Sequence, residues 1–119
     1  MESVNIEIHK LVGEFAITLD DGEKIYAIIH PAMQKGQPVN LDFSGVRIFG
    51  SPFMNAAIGH LLQDFQSEEL NRLLLIDRDK ITPVGLSILR RVIENAKAYY
   101  ADPLVRDAVE QAIAEYLED

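Results

Sequence analysis

Leu41-Asp42-Phe43-Ser44-Gly45-Val46-Arg47-Ile48-Phe49-Gly50-Ser51-Pro52-Phe53 joins a strand signal, a glycine turn and a helix start in one short stretch. Val39, Leu41 and Phe43 alternate with Asn40 and Asp42, the period of two that sends successive side chains to opposite faces of a strand. Gly45 supplies a turn dihedral that other residues avoid. Asp42, at the end of the strand, is suited to bonding the backbone of Ser44 and Gly45, as aspartates do in turns. A short apolar arm then delivers Ser51 and Pro52 to the head of a helix, where a hydroxyl can cap a backbone N–H and proline loses nothing by lacking one. One hydroxyl thus stands beside free backbone N–H groups, where an anion or a modifying enzyme could meet it. Read as an N-cap alone, Ser51 has no chemistry at all.

Upstream, Val4, Ile6 and Ile8 alternate with Asn5, Glu7 and His9, and Phe15, Ile17 and Leu19 alternate again after Val12-Gly13. Residues 4–19 therefore read as a β-hairpin. Asp20 and Glu23, three apart, predict a capping box for a helix that buries Ile25, Ile28, Ile29, Ala32 and Met33, with Pro31 expected to kink or shorten it. Downstream, a helix from Ser51 to about Phe65 carries Met54, Ala57, Ile58, Leu61, Leu62 and Phe65 at helical spacing. Gly59 within it is unfavourable relative to alanine, which points to close packing against the sheet. Leu73-Leu74-Leu75-Ile76 predicts a central strand covered on both faces.

Two more helices are expected. One runs from about Thr82 to Tyr100 and buries Leu86, Leu89, Val92, Ile93 and Ala96. The other covers residues 102–117, with Leu104, Val105, Ala108, Val109, Ala112, Ile113, Tyr116 and Leu117 on one stripe. Thr82-Pro83 and Asp102-Pro103 repeat the start device of Ser51-Pro52. The element order gives an α/β fold: a mixed sheet of about four strands with helices packed against it. It forms a single domain over residues 1–119, with its core over residues 4–100.

A chain of 119 residues can bury one core without staples. Cysteine is absent, which excludes disulfides, thiolate catalysis and cysteine-ligated metals and fits a reducing compartment. Met1-Glu2-Ser3-Val4-Asn5 lacks the basic and apolar regions of a signal peptide, and no apolar run is long enough to cross a bilayer. The expectation is a cytoplasmic protein. The 11 basic residues against 19 acidic ones give a net charge of −8, which argues against a nucleic-acid binder and suits a basic partner surface. Arg90 and Arg91, the one adjacent basic pair, read as a solvated helix face.

His9, His30 and His60 stand at no metal-ligand spacing, and there is no glycine-rich phosphate loop, G-x-S-x-G or catalytic carboxylate pair. No catalytic residue, metal or cofactor is expected, and the chain is not read as an enzyme. Asp77-Arg78-Asp79-Lys80 follows a strand, where α/β ligand sites often lie, but its charges cancel within a surface loop. Tyr99 and Tyr100 offer aromatic surface to the core or to an interface.

Val39-Asn40-Leu41-Asp42-Phe43-Ser44-Gly45-Val46, followed by Ser51-Pro52-Phe53 and Gly59, resembles a STAS-like bacterial family of unknown function. That family shows a V-x-L-D-F-x-G-V strand and then a serine-containing turn ending in Phe. The Asp21-Gly22-Glu23 helix start fits as well, and the resemblance extends loosely from the first hairpin to about Tyr100. Relatives of the family are the STAS domains of anti-sigma-factor antagonists. In these a kinase-type anti-sigma factor phosphorylates a serine at a helix N-terminus and binding is lost.

The resemblance implies a non-enzymatic, protein-binding regulatory module. Its partner class would be a histidine-kinase-like ATPase or anti-sigma factor, and Ser51 falls on the phosphorylated position. The contact surface would be Arg47, Phe49, Gly50, Pro52, Phe53 and Asn55, with Asp42, Ser44, Gly45 and Gly59 as the structural motif. Gly50 stands where the antagonists usually carry an aspartate, Pro52 replaces a small polar residue, and Arg47 adds a charge in the arm. Two other readings stay open. One is a nucleotide or phosphometabolite binder, or an enzyme, that uses the Ser51 helix start with Arg47 or Arg78 assisting. The other is a structural subunit that homodimerises through its last helix.

Overall fold

Strand β3 (Val39–Asp42) lies in the middle of three parallel strands, between β1 (Val4–Glu7) and β5 (Leu74–Ile76). The computed structural model from which this topology is read describes residues 2–101. Val39 pairs with Val4 on one side and Leu74 on the other, and Val39 and Leu41 are buried, as their alternation predicts. Among the described residues β5 is an edge strand, not a central one. With a neighbour on one side only, it leaves Leu75 45% exposed.

The expected hairpin over residues 4–19 does not form. After β1 the chain turns into α1 (Ile8–Val12), which Gly13 ends at φ +82°. β2 (Phe15–Ala16) then pairs in parallel with β4 (Ile48–Phe49) as a separate two-stranded sheet. A period of two identifies extended chain and says nothing about its partner. Parallel pairing needs a crossover, and the helix over Leu19–Gln34, α2, provides it. The α/β class stands, with every strand pairing parallel and the strands divided between two sheets.

α2 (Leu19–Gln34) is capped by Thr18, whose Oγ1 accepts the Asp21 N–H over 3.2 Å; Asp20 and Glu23 do not form the expected box. Asp20 and Asp21 still favour this end, because the first turn carries the positive pole of the helix. Pro31 neither stops nor shortens the helix, which ends only at Gln34. Pro31 forfeits one backbone bond, to Ala27, and both residues are exposed, so water can serve the unpaired carbonyl. Ile28 faces solvent. The buried stripe begins instead at Gly22, where a Cβ would lie 2.5 Å from the Phe53 carbonyl oxygen. Its bareness lets α2 lie directly on α3 (Ser51–Ala57).

The single helix expected from Ser51 to Phe65 is two pieces. Ile58 leaves helical geometry at φ −123°, ψ −48°, and a 3₁₀ helix, Gly59–Gln63, follows. α4 (Ser67–Leu73), absent from the sequence reading, starts with Glu69 accepting the Gln66 N–H. A 3₁₀ turn, Arg78–Lys80, leads to α5 (Pro83–Ala101). Thr82 caps α5 as expected, its Oγ1 accepting the Gly85 N–H over 3.1 Å.

Among the described residues, Phe43, Phe53, Ile8, Ile25, Ile29 and Ile58 are the largest fully buried side chains, together with Met54, Leu61 and Val39. Each contributes on the order of 1.5–3 kcal/mol by leaving water. The expected helix over residues 102–117, with its Asp102-Pro103 start, lies outside the described residues. Among the described residues no helix is long and apolar enough to cross a membrane.

Candidate functional site around Ser51

The arm that follows Asp42 is set by two local devices. The Asp42 Oδ1 accepts the Ser44 N–H over 2.8 Å, and Gly45 adopts φ +88°, as the turn reading expects. The Ser44 hydroxyl and N–H hold the Asp42 carboxyl below its ordinary value, helped by Lys80 at 3.8 Å. Lys80 and Asp77, whose Oδ1 accepts the Asp79 N–H, are thereby engaged in local loop contacts.

β4 then carries the chain past Ile17 to α3. The N-cap of α3 is Gly50, in extended geometry at φ −123°, so Ser51 and Pro52 are the first two helical residues. The Ser51 hydroxyl does not cap the helix and makes no hydrogen bond among the described residues. Gly50 is bare for a steric reason: a Cβ there would lie 2.9 Å from the Ile17 carbonyl oxygen and 3.0 Å from its Cα.

This approach also consumes the backbone donors. The Gly50 N–H donates to the Ala16 carbonyl over 2.8 Å, Phe53 to Ile17 over 3.1 Å, and Met54 to Gly50 over 3.2 Å. Pro52 has no N–H to offer. Ser51 keeps the one N–H of this turn outside these bonds, so the nest of donors needed by an anion pocket is not assembled.

Ser51 and Pro52, both exposed, lie with Asn55 on the rim of an open groove of about 650 Å³. Leu19 and Glu23 of α2 form one side, His60 another, and Tyr99 and Tyr100 of α5 a third. Gly59 lines the groove where a Cβ would meet Asn55 Oδ1 at 2.8 Å and Val92 Cγ1 at 3.0 Å. Its role is close approach to α5, not to the sheet.

Four expected contact residues do not line the groove: Gly50, the N-cap of α3, and Phe53, Phe49 and Arg47. Phe53 is fully buried and Phe49 is 8% exposed, its ring 5.7 Å from that of Phe43 and pressed on Gly85. Neither can meet a partner. Both face inward because each falls on the core side of its element: Phe49 pairs with buried Ala16, and Phe53 packs where Gly22 admits it. Arg47 is exposed but turns to Glu14 at 3.9 Å and does not line the groove.

A cluster behind the groove was not legible from spacing. His30 Nε2 lies 2.7 Å from Asp64 Oδ2; a carboxylate only accepts, so the ring nitrogen donates. Tyr26 stacks between His30 at 5.1 Å and His60 at 5.3 Å. Burial, and then the Asp64 charge, raise the Tyr26 phenol above its ordinary value. His30 and Asp64 are 34 residues apart, so only the fold brings them together. Arg90 and Arg91 lie in a separate depression of about 410 Å³ on the outer face of α5, alongside Glu94.

No curated protein and no solved structure matches the chain. A family model described as a STAS-like domain of unknown function matches residues 21–78, the span from the first turn of α2, through β3 and the Ser51 arm, to the loop after β5. Across that span, just under half of the chain, the sequence is similar to the STAS-like family.

Proposed function

We propose that the chain is a non-catalytic regulatory module that binds another protein through the groove bordered by Ser51, Pro52 and Asn55, with Ser51 as its point of control. The observation that carries the reading is the idle Ser51 hydroxyl: it is exposed, on the groove rim, and spared from capping because Gly50 holds that position. A hydroxyl with no structural duty can be modified without loss of a fold contact. A phosphate there would add about 1.5–2 negative charges to a rim that already holds Glu23 and lies beside the acidic first turn of α2. An acidic face on the partner would then be repelled. By family resemblance the partner class is a histidine-kinase-like ATPase of the anti-sigma-factor kind.

The test is binding of purified chain to such an ATPase from the same source, comparing wild type, Ser51→Ala and Ser51→Asp. Ser51→Ala is expected to bind like wild type and Ser51→Asp more weakly. Equal binding by all three removes Ser51 from the mechanism. The anion-pocket reading gains nothing from the geometry, because the donors it requires are committed to Ala16, Ile17 and Gly50.

A further inference from the structure

The groove beside Ser51 lies where the described residues end. Its two buried residues, Gly59 and Ala96, and half-buried Ala56 are all small, so a second backbone can come close to them. Leu19 on one side is 52% exposed, and Tyr99 and Tyr100 of α5 form another side. α5 ends at Ala101, directly after these tyrosines, so the chain leaves the described fold at the edge of the groove. Pro103 cannot supply the N–H that would extend α5, and it disfavours helical geometry at Asp102. Beyond it, Val105, Val109, Ala112 and Tyr116 recur at intervals of four, three and four residues, the spacing of an amphipathic helix. Such a stripe gains most of its stability from packing on a surface.

We propose that residues 103–117 of the same chain occupy this groove and must be displaced before a partner protein can enter. Attachment decides the occupant. A short tether at Ala101 holds the segment at an effective concentration on the order of millimolar, above that of a second copy in dilute solution. Charge agrees with this. The rim carries Glu23, and at helical spacing Asp107, Glu110 and Glu118 fall on the side opposite the stripe. The acids of the segment therefore turn away from the acid of the rim. Displacement rests on the protein-binding reading of the groove, and occupancy does not.

Methyl NOEs on the full chain test occupancy. Expected are cross-peaks from Val105, Val109 and Ile113 to Leu19 and Ala56. A mixture of carbon-13-labelled and unlabelled chains shows whether they arise within one chain. Absence of these cross-peaks, or cross-peaks between chains only, which would seat the segment of a second copy, overturns the proposal. Displacement is tested with Val109→Glu plus Ile113→Glu in the full chain, its fold checked by circular dichroism. Should the glutamates disturb the fold, Val109→Ser plus Ile113→Ser replaces them. The Val105 cross-peaks should vanish, and the ATPase should bind about tenfold more tightly, the gain for a groove covered about nine-tenths of the time. Equal affinity for both chains would overturn the guarding role. With the cross-peaks present and the ATPase bound by neither chain, occupancy is upheld and the protein-binding reading fails instead.

Discussion

The Phe53 N–H donates to the Ile17 carbonyl over 3.1 Å, tying the first turn of α3 to the chain just beyond β2. This bond gives the arm its position, and it removes from the helix start a donor that an anion would need. What remains at the surface is a side chain, the Ser51 hydroxyl, and not a backbone cradle.

The first expectation follows directly. A panel of nucleotides and phosphorylated metabolites should leave the thermal unfolding midpoint unchanged, since a ligand raises it only by binding the native state. A clear rise with a sub-millimolar ligand would show that the turn rearranges to free its donors.

Gly22→Ala tests the contact between α2 and α3. Helix propensity alone would favour alanine by about 1 kcal/mol. The added Cβ, however, would stand 2.5 Å from the Phe53 carbonyl oxygen and 2.7 Å from Ala56 Cβ, and overpacking of this kind costs about 1–3 kcal/mol. The net expectation is destabilisation in denaturant unfolding. Stabilisation would mean that the helices are not held this close.

Much of this was legible in the sequence, within limits set by what a one-dimensional pattern contains. The Val39, Leu41, Phe43 alternation identified β3, and the Thr82-Pro83 start identified α5, because strand period and cap chemistry are local. The same alternation at Val4 to Ile8 and Phe15 to Leu19 suggested a hairpin, since a period of two is common to parallel and antiparallel pairing. Pro52 fixes the N-terminus of α3 only to within a residue, because proline is tolerated in a first turn whose N–H groups have no intrahelical partner, and the cap is Gly50 and not Ser51. The steric demand at Gly50 comes from Ile17, over thirty positions upstream, and no local pattern records it. The inward turn of Phe49 and the His30 pair with Asp64 are likewise products of tertiary packing.

Thr82→Ala should lower stability by about 1 kcal/mol, because it removes the acceptor of the Gly85 N–H. Thr82→Ser should restore most of that loss. Chemical denaturation midpoints of the three proteins check this, and identical midpoints would show that the cap contributes nothing.

Asp42 gives a pH dependence with a definite sign. Its carboxyl is held below the ordinary value by the Ser44 hydroxyl and N–H, with Lys80 adding to the effect. A carboxyl depressed in the folded state stabilises the fold above its unfolded value, and that contribution fades as the pH falls through about 4 and below. Asp42→Asn keeps an acceptor for the Ser44 N–H but cannot titrate. Its stability should therefore fall less steeply than that of wild type over this acid range, read from unfolding at a series of pH values. Parallel curves would contradict the assignment.

The most direct measurement of the central claim is the ratio of dissociation constants for the partner ATPase between Ser51→Asp and Ser51→Ala, with both variants shown to unfold at the wild-type midpoint. The account predicts a ratio of about tenfold or more, equivalent to roughly 1.4 kcal/mol of lost binding. A ratio of one, with the ATPase bound equally by both, would contradict it.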